Sequence, residues 1–483
     1  MKKCVTSLLV LLLLGFFAER LPAQHDARLY IPPQDPEVAA RLESWQDLKL
    51  GLLMHWGTYS QWGIVESWSL CPEDEGWCQR KGPYSTDWYA YKKAYENLQT
   101  SFNPTGFEPE AWAQAAQRAG MKYMVFTTKH HDGFCMFDTK QTDYKITDPS
   151  CPFSADSRSN VAQAIFNAFR KKDFMVGAYF SKPDWHSNDF WWSYFPPKDR
   201  NINYSLEKYP ERYQAFREFT FRQLEELCTD YGKLDILWLD GAWVRPDSTI
   251  DRGQSWQAGI PNGQDLEMER IAAMARTNQP GILIVDRWVP GPYENYLTPE
   301  QGVPDKPLGV PWETCMTMGK SWSYIPNESY KSQRQLVHTL CKVVSRGGNL
   351  LLNIAPGPDG KWHQEAYERL EELGAWMDVN GEAIYGTRMA ESGIFEYENW
   401  VFTQKEGVVY AFYLADESQT EMPDSFTLPL EVFGKKANCY LLGGSDKPLK
   451  QQVSGEMIQF WPSKADRSKL NGAPAWTIKF TTP

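Results

Sequence analysis

The stretch Leu234-Asp235-Ile236-Leu237-Trp238-Leu239-Asp240-Gly241 decides the fold. Its apolar run is too short for a buried helix and reads as a strand that breaks off in an acid and a glycine. A stretch of helical period, Pro210–Tyr231, precedes it and stops at Tyr231-Gly232. Another, Gln264–Thr277, follows and stops at Gln279-Pro280-Gly281. Outward from this unit the alternation repeats. Strand-like runs recur at Leu48–Met54, Met121–Thr127, Phe174–Phe180, Gly281–Val285 and Asn349–Ile354, with helical stretches at Glu108–Ala119, Asn160–Lys171, Ser329–Val344 and Gln364–Val379. Alternation of this kind makes a parallel sheet covered by helices. Sustained over about 350 residues, it favours an α/β fold of the (β/α)8-like, TIM-type barrel class over an open sheet.

Each run ends at its C-terminal side in residues able to do chemistry: His55-Trp56-Gly57, Lys129-His130-His131-Asp132, Tyr179 and Ser181, Asp240-Gly241, Asp286-Arg287-Trp288, and Asn353. In a barrel these ends share one rim, so residues far apart in sequence converge there. Paired carboxylates on an aromatic rim suit glycoside hydrolysis, where one attacks or stabilises the anomeric carbon and the other protonates the leaving oxygen. Asp240 is the candidate nucleophile; its competing role is to cap the next helix. The second carboxylate is expected from a rim loop, Pro290–Gln301, which offers Glu294 and Glu300; spacing does not choose between them. The His130-His131 pair invites a zinc reading, but adjacent strand residues point to opposite faces. No His-Glu-x-x-His motif supports it, so no metal and no cofactor is expected. Neutral histidines donating to sugar hydroxyls fit better, with Lys129 and Asp132 holding the loop together by ion pairing.

The 483 residues carry 50 Lys+Arg against 61 Asp+Glu, a formal net charge of −11, which disfavours nucleic acid as a partner. Aromatic residues make up 14% of the chain, including 21 Trp, and flat rings suit either a large core or the C–H faces of sugars. Met1-Lys2-Lys3, the apolar run Val5–Ala18 and Leu21-Pro22-Ala23 read as a signal peptide over residues 1–23, implying a periplasmic or secreted protein. That run falls short of the roughly 18 residues needed to span a bilayer, and no later one comes closer. Eight cysteines then remain, read as buried thiols, with Cys71–Cys78 the one plausible local bridge. Beyond Gly386 helical periodicity gives way to short alternating runs (Trp400–Thr403, Val408–Leu414, Ser425–Leu430, Ala437–Leu442, Ala475–Phe480), which predict an antiparallel β-sandwich. The division expected is a catalytic barrel over 24–388 and a sandwich over 389–483.

Four strings carry a resemblance. Met54-His55-Trp56-Gly57-Thr58-Tyr59-Ser60, Thr128-Lys129-His130-His131-Asp132-Gly133-Phe134, Trp238-Leu239-Asp240-Gly241 and Arg346-Gly347-Gly348-Asn349-Leu350-Leu351-Leu352-Asn353-Ile354 resemble, in order, the motifs of the glycoside hydrolase family 29 α-L-fucosidases. The resemblance spans about residues 40 to 390. It implies a retaining exo-glycosidase acting on fucosylated oligosaccharides or glycoconjugates, an irregular barrel with a C-terminal sandwich, and no metal. It further implies that Asp240 is the nucleophile, Glu300 in Thr298-Pro299-Glu300-Gln301 the general acid/base, and His55, His130 and His131 the holders of fucose hydroxyls. Tyr179, Trp238 and Arg287 are expected to line the same pocket.

The chain departs from the family at Glu66-Ser67-Trp68, where many members have Glu and Trp adjacent, lining the sugar site. Glu66 and Trp68 are retained as binding candidates, but the inserted Ser67 leaves room for a change of specificity. L-Fucose is 6-deoxy-L-galactose, so the alternatives are an α-L-galactosidase of the same mechanism or an inactive sugar-binding relative.

Overall fold

The computed structural model describes residues 27–72, 78–433 and 437–481. The expected signal peptide lies outside the described residues, as does most of the segment between Cys71 and Cys78, both of which are buried. Cys135, Cys151, Cys228, Cys315, Cys341 and Cys439 are buried thiols. No helix of the described residues is long and apolar enough to cross a membrane.

In chain order the first part runs α1 (Pro36–Leu48), β1 (Leu50–Met54), α2 (Trp88–Glu96), α3 (Pro109–Arg118), β2 (Tyr123–Lys129), α4 (Val161–Arg170), β3 (Met175–Ser181), α5 (Pro210–Asp230), β4 (Ile236–Asp240), α6 (Ser255–Ala258), α7 (Met268–Asn278), β5 (Leu283–Asp286), β6 (Glu313–Thr317), α8 (Gln333–Ser345), β7 (Asn349–Asn353) and α9 (Gln364–Asn380). Local chemistry sets the helix ends. Asp35 accepts from the Glu37 and Val38 amides ahead of Pro36, and Ser332 and Gln335 form a reciprocal capping box on α8. The stops after α3 and α5 are Gly120 (φ 84°) and Gly232 (φ 72°), in the left-handed region that glycine enters without steric cost.

Seven parallel strands follow the order β5-β4-β3-β2-β1-β7-β6. The eighth place, between the edge strands β5 and β6, is taken by an irregular segment. Asn295 N donates to Ile284 O, and Leu297, Pro299 and Gln301 exchange backbone bonds with 311–315. The expected rim loop Pro290–Gln301 is therefore half strand, closing the barrel. Along each strand alternate residues face inward. Leu53, Tyr123, Val125, Tyr179, Ile236, Trp238, Leu283, Val285, Cys315 and Leu351 form the interior cluster, whereas Leu50, Leu52, Met124, Phe126, Leu237, Leu239, Leu350 and Leu352 join the larger core beneath the helices. Helix α1 plugs the end away from the strand C-termini, with Trp45 stacked on Tyr296 at 3.9 Å.

Beyond α9 come β8 (Glu396–Tyr397), β9 (Trp400–Lys405), β10 (Val408–Leu414), β11 (Phe426–Pro429), β12 (Asn438–Leu441), β13 (Lys450–Ser454), β14 (Met457–Trp461), α10 (Lys464–Leu470) and β15 (Ala475–Thr481). They form a five-stranded sheet, β12-β15-β10-β9-β8, and a three-stranded sheet, β11-β14-β13. Phe402, Phe426, Phe460, Trp476 and Phe480 meet in one apolar cluster shared by the two sheets. This is the antiparallel sandwich that the alternating runs predict.

Candidate active site

A cavity of about 460 Å³ opens at the C-terminal ends of the barrel strands. It is lined by all ten expected site residues: His55, Glu66, Trp68, His130, His131, Tyr179, Trp238, Asp240, Arg287 and Glu300. Strand parity explains how. Asp240 follows Ile236 and Trp238 on the inward face of β4, Tyr179 is inward on β3, and Arg287 continues the inward series Leu283, Val285 one step past β5. His130 and His131 come just after β2 ends at Lys129, so the opposite-face rule for adjacent strand residues no longer separates them.

Arg287 ties the two carboxylates together. Its Nη1 lies 3.1 Å from Asp240 Oδ1, and its Nη2 donates to Glu300 Oε2. Tyr179 OH donates to Asp240 Oδ2 at 2.7 Å. Burial raises the Asp240 pKa, but the guanidinium and the phenol outweigh it and leave the carboxyl well below its ordinary range. Asp240 is thus ionised at neutral pH. Glu294, the other carboxylate of the segment, is turned away from this pair: its Oε1 accepts from the Trp288 amide at 2.9 Å.

The histidines are neutral and oriented. Asn353 Nδ2 donates to Trp322 O, so its Oδ1 accepts from His55 Nδ1 at 2.9 Å, leaving His55 Nε2 as an acceptor and not the donor to a sugar hydroxyl that the sequence suggests. His130 Nδ1 bonds Ser67 Oγ at 2.6 Å and His131 Nδ1 bonds Ser181 Oγ at 2.7 Å. Burial lowers the His55 and His131 pKa values to about 4 and about 3, and drives His130 well below 6.5 as well. Ser67, the residue that separates Glu66 from Trp68, therefore anchors His130, while both flanking side chains still reach the cavity. Glu66 is buried with Oε2 lacking a hydrogen-bond partner among the described residues, and burial raises its pKa to about 8.

His130, His131 and Asp240 present possible ligand atoms within 4.8 Å of one another. The donor set does not suit a cation: Arg287 and Tyr179 already fill the Asp240 oxygens, and the guanidinium charge opposes a second positive ion there. Lys129 and Asp132 hold the rim, though with other partners than each other. Lys129 pairs with Asp184 at 3.1 Å, and Asp132 accepts from Tyr95 OH at 2.7 Å.

Several lining residues lie outside the sequence expectation: Arg200, Trp243, Trp256 and Trp322 all face the cavity. They sit in long connections, where no period marks a direction. Of the 21 tryptophans, six line the cavity (Trp68, Trp238, Trp243, Trp256, Trp288, Trp322), while others such as Trp45, Trp56 and Trp112 are core, so the aromatic excess serves both uses. A buried carboxyl, Glu313, stands beneath the site. It accepts from Tyr123 OH at 2.7 Å and from Trp238 Nε1 at 3.3 Å, and burial raises its pKa to about 8. Its strand, Glu313-Thr314-Cys315-Met316-Thr317, lacks an apolar run and gives no strand signal.

Comparison with known proteins agrees with the motifs. The alpha-L-fucosidase family model matches residues 17–382. Tissue alpha-L-fucosidase of Macaca fascicularis is 28% identical, covering 98% of this chain and 96% of its own. Alpha-L-fucosidase isoenzyme 1 from Paenibacillus thiaminolyticus superposes with a TM-score of 0.72 at 28% identity, over 92% of this chain and 99% of that one. Thermotoga maritima alpha-fucosidase in complex with fucose superposes with a TM-score of 0.68 at 25% identity, over 94% and 98%. A family match over most of the chain, reached independently of the strand parity that gathers Asp240, Arg287 and the histidines, shows that the protein belongs to the alpha-L-fucosidase family of glycoside hydrolases.

Proposed function

We propose that the protein is an exported, retaining α-L-fucosidase that releases terminal fucose through a covalent glycosyl-enzyme. The observation that carries this reading is the single guanidinium of Arg287 holding both Asp240 and Glu300. Two carboxyls so held suit the spacing of about 5–5.5 Å of a double displacement better than the wider gap that admits a water between them.

In the first step Asp240 attacks the anomeric carbon while Glu300 passes a proton to the departing glycosidic oxygen. Tyr179 and Arg287 keep the nucleophile ionised and aimed. In the second, Glu300 takes a proton from water as the water displaces Asp240, so the product keeps the substrate's anomeric configuration. The neutral imidazoles of His55, His130 and His131 meet sugar hydroxyls, and buried Glu66, protonated below about pH 8, donates to another.

The test is hydrolysis of aryl α-L-fucoside and aryl α-L-galactoside by wild type and Asp240→Asn, with the anomer of the first product read by NMR. Fucoside turnover that gives α-L-fucose first and vanishes in the variant supports the reading. Turnover of the galactoside alone re-assigns the sugar, and a β-anomer first overturns the double displacement. Export by the expected signal peptide is checked by the N-terminus of the protein recovered outside the cytoplasm, expected near Gln24.

A further inference from the structure

The cavity has two aromatic walls. Trp68 and Trp243 pack on His131 at ring-centre distances of 5.2 and 5.1 Å, and Trp322 packs on His55 at 5.3 Å. These rings stand with the histidines, on the side that takes the transferred sugar. Trp288 and Trp256 line the cavity as well, next to the segment that carries Glu300. The Arg287 guanidinium that binds Glu300 lies 4.2 Å from the Trp288 ring centre, and Trp288 Nε1 donates to the carbonyl of Thr298, two residues before Glu300. The Trp256 ring meets the Trp288 ring at 6.0 Å and 63°, and Arg245 lies 5.1 Å from the centre of Trp256.

Trp288 sits at φ 61°, in the left-handed region that bulky side chains avoid. Its neighbours hold it there: the amide donates to Glu294, the carbonyl accepts from Arg245, and the indole N–H is tied to Thr298. Backbone strain of this kind, maintained by buried groups beside a reactive carboxyl, marks a position where the ring's placement matters. Both rings are half-buried and face the cavity. Because the acid/base protonates the leaving oxygen, whatever carries that oxygen must lie beside Glu300, in the same cavity as these rings and near the segment they border.

We propose that Trp256 and Trp288 form a platform for the first sugar of the leaving group. It selects fucosides whose aglycone is a pyranose presenting a C–H face, over those with alkyl or atomic leaving groups. The inference rests on the fucosidase reading and names the aglycone class of that site. A pyranose placed there stacks on one indole and borders the other, and this contact is made whether or not the sugar is charged.

The experiment compares kcat/KM for α-L-fucosyl fluoride, whose leaving group has no ring, with kcat/KM for a panel of α-L-fucosyl-hexose disaccharides of different linkage. The readout is their ratio. Trp256→Ala, on the short helix α6, is expected to lower the ratio about tenfold for the best disaccharide, Trp256→Phe to restore most of it, and Trp288→Phe to lower it less. An unchanged ratio in Trp256→Ala overturns the platform, and so do equal losses on both substrates in a variant with a wild-type melting temperature. Wild type that cleaves the fluoride but no disaccharide overturns the platform while leaving the fucosidase reading standing; wild type that cleaves neither overturns that reading first.

Discussion

The barrel rim and the C-terminal sandwich bury polar groups in opposite ways. Within and just behind the rim His55, Glu66, Lys129, His130, His131, Asp132, Lys182, Asp184, Asp286, Arg287 and Glu313 are all buried, whereas among the described residues of the sandwich the buried polar ones are Thr403, Asp466 and Thr477. Asp466 there is an ordinary satisfied carboxylate, accepting from Ser445 and Ser463 beside α10. Burying charge is unfavourable unless it is paired, so a region that concentrates it does so for a reason other than stability. One region is built to react and the other to pack, and substitutions should separate them. Asp240→Asn is expected to lower kcat by about 10⁴-fold, since it removes the nucleophile and leaves the pocket shape. Loss of less than a hundredfold would mean that the carboxylate only assists. On the other side, Phe480→Ala removes a ring that is 1% exposed and stacked on Phe433 at 3.9 Å. It should cost about 3–5 kcal/mol of stability in thermal or urea unfolding while the folded fraction keeps its kcat. A parallel fall in kcat would show that the sandwich shapes the rim.

The sequence was legible where one physical signal dominated. Apolar runs against helical periods located six of the seven barrel strands, because a parallel strand covered on both faces has to be apolar. β6 was missed because its inward residues make no apolar run: Glu313 is a carboxyl bonded to Trp238 and Tyr123, and Cys315 packs in the interior cluster while also bordering the cavity. The Leu297–Gln301 segment was missed because Pro299 and Glu300 hide a stretch that pairs along one side with residues 311–315. The rim residues were readable since strand ends come with a direction. Arg200, Trp243, Trp256 and Trp322 were not, for they lie on connections whose course depends on tertiary packing. The identity of the carboxylate facing Arg287 was likewise a matter of three dimensions: Glu294 and Glu300 share a segment, and its folded course brings one to the Trp288 amide and the other to the guanidinium.

The rim's buried titratable groups also give the protein a pH dependence. An unfolded histidine takes a proton below about pH 6.5, whereas folded His55 and His131 do so only near 4 and 3. Between those limits the unfolded chain binds more protons, so stability falls as pH drops from about 6.5 toward 4. Glu66 and Glu313 act on the alkaline side. Unfolded they lose a proton above about 4.5, folded only near 8, so stability falls as pH rises from about 4.5 to 8. The two effects oppose each other between about pH 4.5 and 6.5, so melting temperature against pH should be highest in that interval and fall on either side of it. Glu313→Gln should flatten the alkaline slope by a few kcal/mol over that range, at the cost of one imperfect bond to Tyr123 or Trp238. An alkaline slope unchanged in Glu66→Gln and Glu313→Gln would mean that neither carboxyl is neutral in the folded protein.

The smallest effect expected is at the seam between the two regions. Arg346 Nη2 meets Glu396 Oε2 of β8 at 2.7 Å, with the glutamate side chain 48% exposed. Nearby, the seam is apolar: Trp376 of α9 packs on Phe412 of β10 at 6.3 Å and its Nε1 donates to Ala475 O. A half-exposed pair is screened and entropically loose, so Glu396→Gln should cost about 0.2–1 kcal/mol and less as salt is raised. Trp376→Phe, which keeps the apolar contact and removes the indole N–H, should cost more, about 1–3 kcal/mol, because it strands a buried carbonyl. If Glu396→Gln instead proves the larger, the sandwich is held to the barrel by charge, and the contrast between a charged rim and an apolar support does not extend to the joint between them.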